Sequence, residues 1–276
     1  MNPECYNLIR QRKAIIYDQL GCCRLCPHEC GVNRLEGETG VCGLDAKGYC
    51  FREMVNLTEE SELVPSHQVY FAGCNLKCGF CSVAEWNDQP MVVPTIETGD
   101  LVRQIQLRRE QGAKNLNLLG GEPAVSIYGI LELLERIPQK TRIVWNSSMY
   151  YRQPVRDALE GLVDVYLADF KCGNSDCAKK MLGASDYVEV VQENLLWAVQ
   201  QTELIIRHVA MPGHIDCCGR PVLEWIAEQM PDAKVSLKFD YIPPLPAGMC
   251  PAGYIQDSEK RKMLEIVKQL ALKVIL

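Results

Sequence analysis

The chain has 276 residues, with 29 Lys and Arg against 35 Asp and Glu, giving a formal net charge of −6. Hydrophobic residues at 47% and charged residues at 23% exclude a largely disordered chain, and a chain of this length buries about 75% of its unfolded surface, enough for one large core or a main domain plus a small module. The acidic balance argues against nucleic acid, whose nonspecific binding needs a basic footprint. No apolar run approaches the roughly 18 residues of a membrane span. The first residues lack an apolar stretch followed by a small-residue cleavage site, so the expected compartment is the cytoplasm.

Cysteine is the anomaly: there are fifteen, an odd number. In a reducing compartment clustered thiols point to metal or redox chemistry in preference to disulfides. Eight of them fall in two groups, from Cys22 to Cys42 and from Cys74 to Cys81.

In chain order, a short helix opens the sequence and a Cys-rich segment follows. Cys23, Cys26, Cys30 and Cys42, at spacings of two, three and eleven intervening residues, form a candidate second metal site that suits either tetrahedral zinc or an iron–sulfur cluster. Cys22 and Cys50 are possible substitutes in that set, and His28 is a weaker one. So small a module needs a metal or staple to hold it, and a hairpin or loop connects it onward.

From residue 67 strand-like and helix-like segments alternate. Short runs rich in Val, Ile, Leu and aromatics predict strands over 67–73, 115–119, 142–146, 164–170, 204–210 and 234–241. Apolar steps of three and four predict helices over 99–111, with Leu101, Val102 and Ile105 as its face, over 187–200, with Val188, Val191, Leu195 and Val199, and from Asp257 onward, with Met263, Val267 and Leu270. Six strands with helical crossovers make a parallel α/β fold whose ligands sit at the carboxyl ends of the strands. The polar motifs fall there: Cys74, Gly120-Gly121-Glu122-Pro123, Asn146-Ser147-Ser148, Asp169–Lys171 and His214–Cys218. The expected division is 1–66 for the N-terminal helix and Cys-rich module, 67–245 for the main domain, and 246–276 for a loop and helix packed on it. Cys172, Cys217 and Cys218 also follow strands, but packing is their expected role. His208 is expected to be a core or wall histidine. The loop 242–251 is expected to cap the mouth of the sheet or meet a partner.

Cys74, Cys78 and Cys81 place three thiolates just past the first of these strands. Soft thiolates suit iron–sulfur clusters or zinc, and three of them leave a four-iron cube one ligand short. The Cys-x3-Cys-x-aromatic-Cys pattern, followed some forty residues later by Gly-Gly-Glu-Pro, resembles the radical S-adenosylmethionine (SAM) superfamily. That resemblance implies a partial (β/α)6 TIM-like barrel, a [4Fe-4S] cluster on Cys74, Cys78 and Cys81, and SAM bound at its open iron. One electron from an external donor of the flavodoxin or ferredoxin type then cleaves SAM to a 5′-deoxyadenosyl radical, which abstracts hydrogen from a substrate.

Single positions carry over in the same way. The resemblance implies that Gly120, Gly121 and Glu122 receive the SAM amino group, that Phe80 lies near adenine, and that Asn146 and Ser147 bond the ribose or carboxylate. Asp169-Phe170-Lys171 resembles the Asp-x-Lys of activating enzymes of glycyl radical enzymes, where Lys171 would face the SAM carboxylate and Asp169 the substrate or SAM. Cys23–Arg34, the Gly37–Gly43 string, 168–171 and 207–214 are similar to an uncharacterised subgroup grouped with pyruvate formate-lyase activating enzyme, which implies an oxidoreductase whose substrate is a protein glycine, another peptide residue or a small molecule. Those activating enzymes carry extra cysteines after the radical SAM motif, whereas here they precede it. The second reading is a non-catalytic iron–sulfur or zinc protein for electron transfer or metal binding, with four protein ligands at each site.

Overall fold

The computed structural model describes residues 3–96, 98–138, 140–246 and 248–275. It divides the chain into two compact units. One comprises Met1–Asn75, Val83–Ser147 and Tyr151–Asp164, and the other Leu76–Ser82, Ser148–Tyr150 and Val165–Leu276.

The first unit opens with helix α1 (Pro3–Leu20). Strands β1 (Cys50–Asn56) and β2 (Ser66–Phe71) follow, paired antiparallel with an irregularity between Cys50 and Arg52. After the short helix α2 (Ala84–Asp88) and helix α3 (Thr98–Glu110), strand β3 (Asn115–Gly120) runs parallel to β2, with Ser66 opposite Asn115 and Phe71 opposite Gly120. Helix α4 (Ile127–Leu134) then leads to β4 (Ile143–Ser147), parallel to β3, and helix α5 (Gln153–Leu159) closes the unit. Buried Ile9 and Ile16 lie on α1, which packs on α4 and α5, and Arg10 and Lys13 both reach Glu135 at 2.6 Å.

The second unit repeats the strand–helix rhythm. Strand β5 (Val165–Asp169) is followed by helices α6 (Ser175–Leu182) and α7 (Tyr187–Ala198), then by β6 (Glu203–Val209) parallel to β5. Helix α8 (Arg220–Gln229), strand β7 (Lys234–Lys238), helix α9 (Asp257–Leu270) and strand β8 (Lys273–Ile275) complete it, each strand parallel to the one before. The strand centres are apolar and buried, as in the core of a parallel sheet; Val165, Leu167, Ile205, Ile206 and Val235 are fully buried.

The six expected strands are present as β2 to β7, each within a few residues of its expected ends. The first stops at Phe71 instead of residue 73 because Gly73 turns the chain at φ +86°, a left-handed conformation natural to glycine. Two faces differ from expectation. In α7 the buried residues are Tyr187, Val191, Asn194, Leu195 and Ala198, while Val199 is exposed. In α9 Ile266 is buried beside Met263, in the place expected for Val267.

The Cys-rich segment is anchored by a buried charge. Arg34 is 2% exposed, and its guanidinium donates to the Asp45 carbonyl at 2.9 and 2.6 Å and to the Val125 carbonyl at 2.9 Å. A planar fork serves two carbonyls at once, which an ammonium group does poorly. Arg34→Ala should lower unfolding stability by about 2–4 kcal/mol by stranding two carbonyls, read as a fall in the urea midpoint, and Arg34→Lys should recover only part of it.

Candidate active site

Asp169 ends β5 and stands opposite Arg207 of β6 in the parallel register. Its two carboxylate oxygens are divided between cations: Oδ1 accepts from Arg207 Nε at 2.6 Å and Oδ2 from Lys171 Nζ at 2.5 Å. Asp169 and Lys171 meet because extended residues two apart share a face. Phe170 between them is fully buried and packs edge-on against Trp225, with ring centroids 5.7 Å apart. Tyr187 at the start of α7 fixes the backbone here, donating its hydroxyl proton to the Asp169 carbonyl at 2.8 Å and accepting from the Lys171 N–H at 3.0 Å.

The electrostatics follow from that geometry. Burial disfavours the Asp169 carboxylate, but Arg207 and Lys171 outweigh it and hold the group well below the usual carboxylate range. Burial likewise opposes the Lys171 ammonium, yet Asp169 and Cys78 keep it charged above its ordinary range. Burial keeps the Tyr187 phenol protonated.

The loop carrying Cys78 and Cys81 docks on the end of α6. Lys77 N–H donates to the Leu182 carbonyl at 2.8 Å and Gly79 N–H to the Met181 carbonyl at 2.9 Å. These are carbonyls a helix end leaves without partners. Gly79 is needed for space, since a Cβ there would lie 2.7 Å from Cys250 Sγ. Burial pushes the Cys78 thiol up to about 12, while Lys171 pulls it down. Phe80 stands 6.1 Å from Tyr241 between ring centroids.

In the first unit Cys74 is buried just after Gly73. Gly121 N–H donates to the Phe71 carbonyl at 2.7 Å and Glu122 N–H to the Gly73 carbonyl at 2.9 Å. The neighbouring backbone demands both glycines: a Cβ at Gly120 would sit 2.2 Å from Phe71 O, and one at Gly121 would sit 2.1 Å from Gly73 O. Glu122 is fully buried, and its Oε1 accepts from the Ala124 N–H at 3.1 Å and the Ser147 hydroxyl at 2.7 Å. Asn146 donates to Glu59 Oε1 at 3.1 Å, and Gln68 and Asn117 donate to Glu59 Oε2 at 2.8 and 2.7 Å.

The N-terminal cysteines form a folded knuckle. Cys23 N–H donates to the Val32 carbonyl and Gly31 N–H to the Cys23 carbonyl, both at 3.0 Å. Cys23 and Cys42 are buried, and Cys26 and Cys30 are half-buried. Burial pushes the Cys26 thiol up to about 12, with Cys42 and Cys23 adding to the rise, and Cys42 is raised by burial with Cys23 and Cys30 contributing. His28 Nε2 donates to the Asn75 carbonyl at 2.7 Å.

Sequence reasoning missed Glu59, Tyr187 and the pairing role of Arg207, which lay inside a quoted motif without a function. Alternation at the strand ends was the available signal for Arg207; for Tyr187 and Glu59 the contacts are non-local and leave no spacing to read. It also treated Cys217 and Cys218 as packing, whereas the structure groups them with Cys177 and His214, all donor atoms within 4.8 Å of one another. His208 is buried and donates from Nδ1 to the Phe170 carbonyl at 2.7 Å.

Because Asp169 ionises more readily folded than unfolded, its stabilisation is present above the ordinary carboxylate pKa of about 4 and is lost as pH falls below it. Asp169→Asn should cost about 1–3 kcal/mol at neutral pH by leaving two half-buried cations without their counter-charge, and should flatten the acid limb of stability. Urea unfolding from neutrality down to about pH 3 checks both.

Residues 69–226 match the model of the radical SAM superfamily. The chain is 35% identical over 263 residues to the uncharacterized protein MJ0674 of Methanocaldococcus jannaschii, spanning 92% of this chain and 76% of that protein. A shorter stretch, 33% of this chain and 37% of the relative, is 33% identical to the 7-carboxy-7-deazaguanine synthase of Methanothermobacter thermautotrophicus. Among solved structures, Streptococcus suis SuiB bound to the precursor peptide SuiA aligns with a TM-score of 0.54 at 16% identity, covering 73% of this chain and 46% of SuiB. SuiB bound to S-adenosylmethionine aligns at 0.53 and 18% identity, covering 73% and 47%. The chain thus spans less than half of SuiB, and the likeness is one of fold. With more than half of its residues inside the family match, and a relative of more than a third identity along nearly its whole length, this chain belongs to the radical SAM superfamily.

Proposed function

We propose that this chain is an oxidoreductase of the activating-enzyme kind, which removes a hydrogen atom from a residue of a protein or peptide. The observation that carries the reading is the Lys171–Asp169–Arg207 array with Lys171 beside the Cys78 thiol.

Members of the superfamily use a [4Fe-4S] cluster and SAM. When bound, these supply a 5′-deoxyadenosyl radical, released with methionine by one electron from an external flavodoxin- or ferredoxin-type donor. The residues present suit such groups. Cys74, Cys78 and Cys81 are soft donors spaced to hold a cluster with one iron left for a small molecule. Burial raises the Cys78 thiol to about 12, so its thiolate needs a positive charge to stabilise it; the Lys171 ammonium supplies one, and a bound metal would displace the proton to solvent.

The chain's own residues then have assignable work. Lys171 Nζ, charged and steadied by Asp169, pairs with the SAM carboxylate. Glu122 and the backbone at Gly120 and Gly121 receive the SAM amino group, Phe80 lies by the adenine, and Asn146 and Ser147 bond the ribose or carboxylate. Asp169, locked between two cations, keeps its charge and orients Lys171 without itself accepting a proton. Cys23, Cys26, Cys30 and Cys42 hold a second metal, zinc or iron–sulfur. The peptide substrate is supported by the likeness of 168–171 to the Asp-x-Lys of activating enzymes, and SuiB offers a fold precedent in its complex with a precursor peptide.

Anaerobically reconstituted protein, reduced in the presence of SAM, should release 5′-deoxyadenosine, and Cys78→Ala should drop that yield to background while keeping the N-terminal metal. A properly iron-loaded wild type that binds no SAM and yields no 5′-deoxyadenosine overturns the reading. Lys171→Met should weaken SAM binding about 10- to 100-fold, the worth of a hydrogen bond to a charged group, measured by titration calorimetry on the reconstituted protein.

A further inference from the structure

We propose that Cys177, His214, Cys217 and Cys218 form a closed Cys3His zinc site that pins the segment after β5 to the segment after β6 and shares no ligand with the Cys74–Cys81 loop or the N-terminal cysteines. Cys177 lies in the first turn of α6, its N–H received by the Asn174 side chain at 2.9 Å. The other three ligands come from the turn between β6 and α8. There the chain makes one turn of π-helix, Ile215–Gly219, in which the N–H groups of Cys218 and Gly219 both reach the His214 carbonyl, at 2.9 and 3.1 Å. Such widened turns recur at functional sites, and this one lets two consecutive cysteines serve a single point.

The spacing is that of one ion. Cys177 Sγ lies 3.5 Å from His214 Nδ1 and 3.8 Å from Cys217 Sγ, and Cys217 Sγ lies 3.4 Å from His214 Nδ1. All four donor atoms fall within 4.8 Å of one another. Tetrahedral zinc, with bonds of about 2.3 Å to sulfur and 2.0–2.1 Å to nitrogen, sets sulfurs about 3.8 Å apart and nitrogen about 3.5 Å from sulfur. An iron–sulfur cube puts each thiolate on a different iron and spreads them further. A disulfide would need about 2.05 Å between sulfurs. Four protein ligands close the site, the mark of a structural zinc centre.

The surroundings are those of a metal's outer shell. The Asn174 side-chain amide donates to the Cys217 carbonyl and points at Cys218 Sγ from 3.6 Å. Such contacts orient ligands and tune their basicity. Zinc binding by three thiols displaces their protons to solvent, and His214 ligates in its neutral form.

The test counts zinc and iron in full-length protein purified under reducing conditions. Wild type should carry about one zinc per chain more than Cys177→Ser/Cys217→Ser, and Cys23→Ala/Cys26→Ala should retain that zinc. Equal zinc in wild type and Cys177→Ser/Cys217→Ser overturns the proposal. If that variant does not fold, His214→Cys decides: it should keep the zinc and, after exchange with Co²⁺, shift the ligand-field bands to lower energy as sulfur replaces nitrogen. An unchanged cobalt spectrum, or a mass spectrum showing Cys177 joined to Cys217 as a disulfide, also overturns it. None of these readouts depends on SAM cleavage, so the radical reading stands or falls separately.

Discussion

A half-buried carboxylate shared between two cations governs the second unit. Asp169 with Arg207 and Lys171 places three charges away from bulk water, where the carboxylate is held by a cation on each oxygen. The arrangement couples fold to chemistry: satisfying Asp169 requires β5 and β6 in a single register, and the same register aims Lys171. One negative charge against two positive leaves the array net positive. A thiol in that field, Cys78, is easier to deprotonate than burial alone would allow. Tyr187 adds rigidity by holding the backbone on both sides of Phe170.

The first unit treats its buried acid differently. Glu122 Oε1 accepts from an N–H and a hydroxyl, bonds that stabilise the buried carboxylate. Glu59 likewise accepts from the side-chain amides of Gln68, Asn117 and Asn146 on three adjoining strands.

Much of this was legible in the sequence because buried parallel strands are short apolar runs and their ends carry polar motifs. Asp169 and Lys171 could be paired from alternation alone. What could not be read depends on distant chain. β1 is only partly buried and rich in polar residues, and β8 has just three residues, so their composition resembles loop. The glycines 120 and 121 read naturally as making room for a ligand, yet the first claim on that room comes from the carbonyls of Phe71 and Gly73, a contact across two strands. Cys177 lies forty residues before Cys217, and only the parallel crossover between β5 and β6 brings them together.

The Cys-rich N-terminal segment shows how a metal site and an ordinary core share the task of ordering a short stretch. Spacing alone suggested a module too small to fold without metal. In the structure Cys42 and Leu44 join a buried cluster with Tyr49, Ala72, Val93 and Val125, with Phe51 and Trp86 stacked 5.2 Å apart against it. Arg34 adds three hydrogen bonds to the same neighbourhood. Apolar burial and a satisfied guanidinium therefore fix the base of the segment, and what a metal would add is order at its tip, where Cys26 and Cys30 are only half-buried. That division implies local opening of the knuckle on metal loss, with the β1–β4 sheet intact, because sub-global opening follows the regions with the least buried apolar contact.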